Sequence, residues 1–184
     1  GTLRITAPMS FGVEHIAPAL ADFLARYPDL EVIAEYNDRK VDLVDEGFDL
    51  AIRVGRMADS SLIARKLAPV RGILVASPAY LDRRGHPGSP QDLRDHDCLV
   101  YSLLDTPTSW TLYPEEGGEP ERVRVTERLV SNNGEALLQA ALAGVGIVPL
   151  PDFLVVDALR DGTVERVLPD WTSMDRAGVW AVYP

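Results

Sequence analysis

With 184 residues, 46% of them hydrophobic, the chain is long enough to bury one large core or two small ones. Its 18 basic against 28 acidic residues leave a formal charge of −10, which excludes the concentrated basic surface that holding nucleic acid on this chain alone would require. The single cysteine, Cys98, rules out an internal disulfide and reads, within CLVY, as a small buried hydrophobe; no apolar run is long enough to span a bilayer.

In chain order, residues 3–7 form a short strand, and Pro8 and Met9 turn it toward a helix for which Ser10 is a suitable N-cap. Val13, Ile16, Leu20, Phe23, Leu24 and Tyr27 recur at spacings of three, four and seven, so the helix runs to about residue 26 with one buried stripe, and Pro28 ends it. A strand over 31–36, a short helix over 41–46 closed by Gly47, and a strand over 49–54 follow. Strand and helix alternating through the first 55 residues is the pattern of a parallel sheet with right-handed crossovers. The extended run LIARKLAPVRGILVAS, residues 62–77, then reads as one long crossing strand.

Pro78 opens a short helix at its first position and Gly85 ends it, while Ser89, Pro90 and Asp92 give an N-cap, a first-turn proline and an acidic third position for another. Strands are expected over 98–101, 110–113, 121–125 and 128–130, with the acidic hairpin PEEGGEP between the second and third. In SNNGEALLQAALAGVGIVPLP, residues 131–151, Ser131, Asn132 and Asn133 are all good caps, Ala136, Leu137, Ala140 and Ala141 make a small apolar face, and Gly144 is a left-handed brake. Residues 146–148 then form a buried strand that Pro149 and Pro151 stop. A helix over 153–159 closes near Gly162, and strands over 164–168 and 179–183 complete the chain.

The chain thus leaves its first half near Ala76 and returns near Pro149. This is an α/β fold of two Rossmann-like subdomains joined by two crossover strands, with residues 1–77 plus 149–184 in subdomain I and 78–148 in subdomain II. Small ligands bind where strand ends and helix starts converge between such lobes. No nucleophile with a base and an orienting group, no phosphate loop and no metal cluster is present, so no enzyme and no cofactor are expected; His15, His86 and His96 lack metal-ligand spacing.

The runs LRITAPMSFGVEHIAPALADFLARYPDLEV, DLVDEGFDLAIRVG, SSLIARKLAPVRGILVASPAYLDRRGHPGSPQDLRDHDCLVY, SNNGEALLQAALAGVGIVPLPDFLV and LRDGTVERVLPDW, in this order and spacing, resemble the effector-binding domain of LysR-type transcriptional regulators. The resemblance covers essentially the whole chain. It implies a fold like that of type 2 periplasmic binding proteins, a small-molecule effector in the interlobe cleft, and a cytoplasmic protein with no membrane partner. It also implies homodimers, with tetramers for the full-length protein, and promoter DNA bound only through an N-terminal winged helix-turn-helix and linker helix that these residues do not include. The chain starts and stops directly at strands, in keeping with a piece of a longer protein, and the family's usual last helix after VYP is absent from it. A periplasmic solute-binding protein is the alternative reading of the same architecture.

Carried onto this sequence, the family's effector positions fall on Pro8, Ser10, Phe11 and Gly12; on Arg53, Val54 and Gly55; on Ser102 and Leu103; on Asn132 and Asn133; and on Gly146 and Pro149. Many relatives carry Thr or Ser pairs where this chain has Pro8 and Met9, which leaves Ser10 as the hydroxyl there. Ser10 and Asn133 are equally readable as plain caps and Phe11 as core. Arg53 needs a partner in its apolar strand, either Asp49, at an even separation and so on the same face, or a ligand carboxylate. The helix amides and Arg53 favour a small anion. Glu115, Glu116 and Glu119 read as solvated surface.

Overall fold

The alternating pattern of the first 55 residues forms β1 (Thr2–Ala7), β2 (Glu31–Tyr36) and β3 (Leu50–Gly55), all parallel, followed by β4 (Ile63–Pro69). In a computed structural model that describes all 184 residues, the chain divides into two units, Gly1–Pro69 with Arg176–Pro184, and Val70–Asp175. In the first unit the C-terminal strand Gly178–Tyr183 inserts antiparallel between β3 and β4, so that the sheet reads β2, β1, β3, C-terminal strand, β4.

The long helix over 9–26 is α-helical at Met9–Phe11, π-helical at Gly12–Ile16 and α-helical again at Ala17–Arg26. Pro18 is the cause of the wide turn. It has no N–H to give and its ring crowds the preceding turn, and the Ala17 N–H bonds to the Gly12 carbonyl, five residues back. Gly12 also lets the helix start lie on the sheet, since a Cβ there would stand 2.5 Å from the Tyr36 ring. The stripe expected to be buried is only partly so: Ile16, Leu20, Phe23 and Leu24 are half-buried, Val13 and Tyr27 are exposed, and no residue of Ala17–Arg26 is fully buried.

The single strand expected over 62–77 is two strands in two sheets, β4 in the first unit and β5 (Gly72–Ala76) in the second. Pro69 cannot continue a ladder, and Val70 and Arg71 make the break. The chain consequently passes between units at residues 69–70 and 175–176, whereas the sequence places the crossings at 77–78 and 148–149.

In the second unit β6 (Cys98–Tyr101) and β9 (Glu127–Ser131) pair in parallel, and β7 (Ser109–Pro114) and β8 (Glu121–Arg124) form the acidic hairpin. β5 is flanked antiparallel by β10 (Val148–Pro151) and β11 (Glu165–Val167), and β12 (Trp171–Thr172) adds to β7. Its Leu74 and Ala76 enter one core cluster and its Val75 the other, the period-two alternation of a strand buried on both faces.

Contrary to the expectation, Pro149 and Pro151 lie inside β10 rather than stopping the strand before them. The register pairs them with Leu74 and Gly72, and the Asp152 N–H donates to the Arg71 carbonyl at 2.8 Å. The even-numbered residues therefore face β5 with their N–H groups, and both prolines sit where an N–H would point away from it.

Glu115 is also not simply solvated. Although partial burial pushes its carboxyl up, Arg71 and Arg166 both donate to Oε1 and hold it below the usual range. This joins the hairpin to β5 and β11.

Tyr80 (fully buried) and His96 (9% exposed) form a polar pair beside the core. The Asp97 N–H donates to the Tyr80 hydroxyl at 3.0 Å, so the hydroxyl proton goes to His96 Nδ1, 2.8 Å away. Burial, with the Arg84 charge nearby, holds the imidazole below its ordinary pKa against the opposing pull of Asp92, Asp95 and Asp97. A His that folds in its neutral form contributes stability present above the unfolded pKa of 6.5 and lost as pH falls through the lower folded value. His96→Gln should cost about 1 kcal/mol near pH 8 through the weakened hydrogen bond. In melting curves its stability should then fall less steeply than the parent's below about pH 6.5, and parallel curves for the two proteins would refute the assignment.

Candidate functional site

Each unit gathers its polar loops at the carboxyl ends of its parallel strands, the place where open α/β sheets bind ligands. In the first unit these are the turn after β1, the turn after β2 and the end of β3. Pro8 occupies the cap position of the 9–26 helix and supplies no side-chain bond. Ser10 is not the N-cap expected of it. It lies one residue inside the helix, 8% exposed, and its hydroxyl makes no hydrogen bond within the chain. The cap comes instead from Asp38, whose Oδ1 accepts the Met9 N–H at 2.9 Å and places a negative charge at the positive end of the helix.

Asn37, held by its N–H to the Ala7 carbonyl at 3.0 Å, stands beside Asp38, and its side-chain oxygen is buried without a partner. Neither residue stands out in the sequence. The available signal was a polar Asn-Asp pair directly following a strand that runs parallel to β1. Phe11 is half-buried with its ring 4.8 Å from that of His15, and Gly12 is required by the Tyr36 contact already described. Val54 and Gly55 end β3, with the Gly55 carbonyl accepting the Trp180 indole N–H at 2.9 Å.

Arg53 does not pair with Asp49. Asp49 is engaged elsewhere, its Oδ2 accepting the Arg4 N–H at 2.8 Å, and Arg53 Nη2 donates to the Val41 carbonyl at 2.8 Å. The guanidinium lines a pocket of about 360 Å³ with Val41–Asp45 and Ser60–Leu62, and none of residues 8–12 belongs to it.

In the second unit β6 and β9 end together. The Ser102 N–H donates to the Ser131 carbonyl at 2.9 Å, and Ser131 Oγ accepts the Asn133 N–H at 3.2 Å. Asn133 is the N-cap of the helix Gly134–Leu142, its Oδ1 accepting the Ala136 N–H at 2.9 Å. Gly144 closes that helix in the left-handed region, φ 80°. Ser102, Leu103 and Asn133 are half-buried at this end, with Asn132 exposed.

Gly146 and Pro149 have packing roles. Gly146 lies against Asp97, at the opposite end of β6, where a Cβ would stand 2.4 Å from the Asp97 carbonyl oxygen. Pro149 is paired with Leu74 within β10. Burial pushes the Cys98 thiol up to about 12, and no cluster of His, Cys, Asp and Glu able to hold a metal ion is present.

The family model of the LysR substrate binding domain matches residues 1–184. An uncharacterized HTH-type transcriptional regulator of Haemophilus influenzae is 39% identical over the whole chain, which covers 63% of that protein. The HTH-type transcriptional activator TtdR of Escherichia coli (strain K12) is 40% identical, with 58% of it covered. The chain thus spans about three fifths of the length of these relatives. Among solved structures, the regulatory domain of CrgA, a LysR-type transcriptional regulator from Neisseria meningitidis, superposes with a TM-score of 0.79 at 31% identity, covering all of this chain and 88% of that one.

The caps make a direct prediction. Asn133→Ala should cost the domain about 1 kcal/mol of stability by freeing the Ala136 N–H, whereas Ser10→Ala, which removes no hydrogen bond, should melt within about 0.5 kcal/mol of the parent. Chemical denaturation of the two variants checks the contrast, and a large loss in Ser10→Ala would show that its hydroxyl is structural.

Proposed function

Because the chain belongs to the LysR substrate-binding domain family, whose fold matches the regulatory domains of transcriptional regulators, we propose that it senses a small carboxylate-bearing metabolite through polar groups at the carboxyl ends of its parallel strands. The observation that carries this reading is the Ser10 hydroxyl, nine-tenths buried at a helix start and without a partner in the chain. Ser10, Asn37, Val54 and Gly55 form the half-site of the first unit, and Ser102, Leu103, Asn132 and Asn133 that of the second. The start of the helix Gly134–Leu142, capped by a neutral amide, supplies N–H groups that suit a carboxylate, whereas Asp38 already occupies the start of the 9–26 helix and leaves Ser10 to a polar, hydrogen-bonding part of the same molecule. Gly146, against the Asp97 carbonyl, and Pro149, paired with Leu74, stand outside both half-sites.

The signal would be passed to a DNA-binding domain in the full-length protein, acting in the cytoplasm, and the −10 charge of this chain fits a domain that does not itself hold DNA. Pairing of two copies would use the helix over 9–26, where Val13 is 57% exposed, and the helix Asp152–Asp161, where Val156 is 46% exposed. Val13→Glu should lower the dimer fraction measured by light scattering at tens of micromolar, and a parent that is monomeric there would count against the pairing.

A thermal-shift screen of carboxylates identifies the effector. At a hundred times its dissociation constant it adds about 2.7 kcal/mol, roughly 5 to 11 °C for a domain of this size. In calorimetry with that compound, Ser10→Ala and Asn133→Ala should each weaken binding by about 1–2 kcal/mol. If both bind like the parent, or if only cations shift the melting, the reading is wrong.

A further inference from the structure

Arg53 and its pocket are left over from the half-sites just described. The guanidinium makes one hydrogen bond, to the Val41 carbonyl, and its remaining donors have no acceptor in the chain. Ser60 Oγ accepts the Leu62 N–H at 2.9 Å, which leaves its own proton free to donate, and the Ser61 hydroxyl has no partner. Val41, Leu43 and Leu62 form an apolar wall that Met57 and Trp180 back within the same core cluster. At the mouth stand two exposed carboxylates, Asp42, whose Oδ1 is tied to the Asp45 N–H, and Asp45 itself.

We propose that this pocket is a second small-molecule site, distinct from the effector half-sites, and that it takes a short monocarboxylate. The carboxylate accepts from the Arg53 fork and the serine hydroxyls, and the alkyl tail covers Val44 and Leu62. A second negative charge would meet Asp42 and Asp45, which disfavours phosphate and the polycarboxylates. Occupancy also has a route to the effector half-site. Val41 belongs to the segment 37–42 that follows β2, and Asp38 of the same segment caps the 9–26 helix beside Ser10. A ligand that draws Arg53 from the Val41 carbonyl alters the anchoring of that segment.

Sodium butyrate is the probe, titrated into the isotopically labelled domain while the arginine side-chain N–H resonances are followed. Saturation with a dissociation constant on the order of millimolar is expected. Arg53→Gln should weaken it at least about tenfold, and Arg53→Lys should keep only part of the affinity because an ammonium lacks the fork. Ser61→Ala, at an exposed hydroxyl with no hydrogen bond to lose, should weaken binding about threefold without touching the fold. Arg65→Gln, on exposed β4 and outside the pocket, should bind like the parent. The proposal falls if no saturable shift occurs, if phosphate or citrate at matched ionic strength saturates the same resonances, or if Arg53→Gln binds butyrate like the parent. Loss of butyrate binding in Ser10→Ala as well would place butyrate in the effector half-site and equally overturn it. Absence of butyrate binding leaves the effector reading standing, since that rests on Ser10 and Asn133.

Discussion

The first unit depends on one insertion, the antiparallel entry of the C-terminal strand between β3 and β4. Val179, Trp180 and Ala181 face Val54, Arg53 and Ile52 on one side, and the strand is the only ladder partner of β4 on the other. The entry point tolerates only glycine, since a Cβ on Gly178 would stand 2.8 Å from the Ala68 carbonyl. The strand also fixes the end of β3 directly, through the Trp180 indole on the Gly55 carbonyl. A sheet that begins as three parallel strands from the N-terminus is therefore completed by residues more than 120 positions away, and the loop that β3 presents to its half-site is held by the last residues of the chain. Contacts of this sequence separation carry a high loop-closure cost and form late relative to local ones.

Much of the fold was legible because local and tertiary requirements agree. The stripe of Val13 through Tyr27 marks the long helix, Gly47, Gly144 and Gly162 all take the left-handed conformation at helix ends, and Asn133 caps as its residue type suggests. The failures share a cause. Residues 62–77 form one extended run in the sequence, and only the identity of the neighbouring strands, invisible locally, divides them between two sheets. The prolines of β10 were read by residue type alone, whereas their acceptability depends on which parity of N–H faces β5. The wide turn at Gly12–Ile16 could have been anticipated from Pro18, the residue that forces it.

The half-sites were legible in position more than in role. Resemblance placed Ser10 and Asn133 at strand ends, and physical reasoning treated both as caps; the structure makes one a cap and leaves the other free. What decides between them is where the helix starts: Met9 is already helical, with Pro8 in the cap position and Asp38, from the segment after β2, accepting the Met9 N–H, so Ser10 lies inside the helix. Arg53 shows the same limit. An arginine in an apolar strand demands an acceptor, and the two considered were both carboxylates, yet a backbone carbonyl served. Side-chain demand can be read from sequence, while the supplier is set by topology.

The two helix starts also differ electrostatically, and the difference constrains any ligand that uses them. A full carboxylate, Asp38, already occupies the positive end of the 9–26 helix, so an incoming anion there shares the dipole with it and meets a like charge. At Asn133 the capping group is a neutral amide, and the acid of that first turn, Glu135, is exposed and therefore well screened. The Ser10 end, with an unbonded hydroxyl, an orphaned Asn37 oxygen and the Asp38 charge, is better matched to a group that donates hydrogen bonds. Helix polarity alone would make the two ends equivalent anion sites; the caps are what make them unequal.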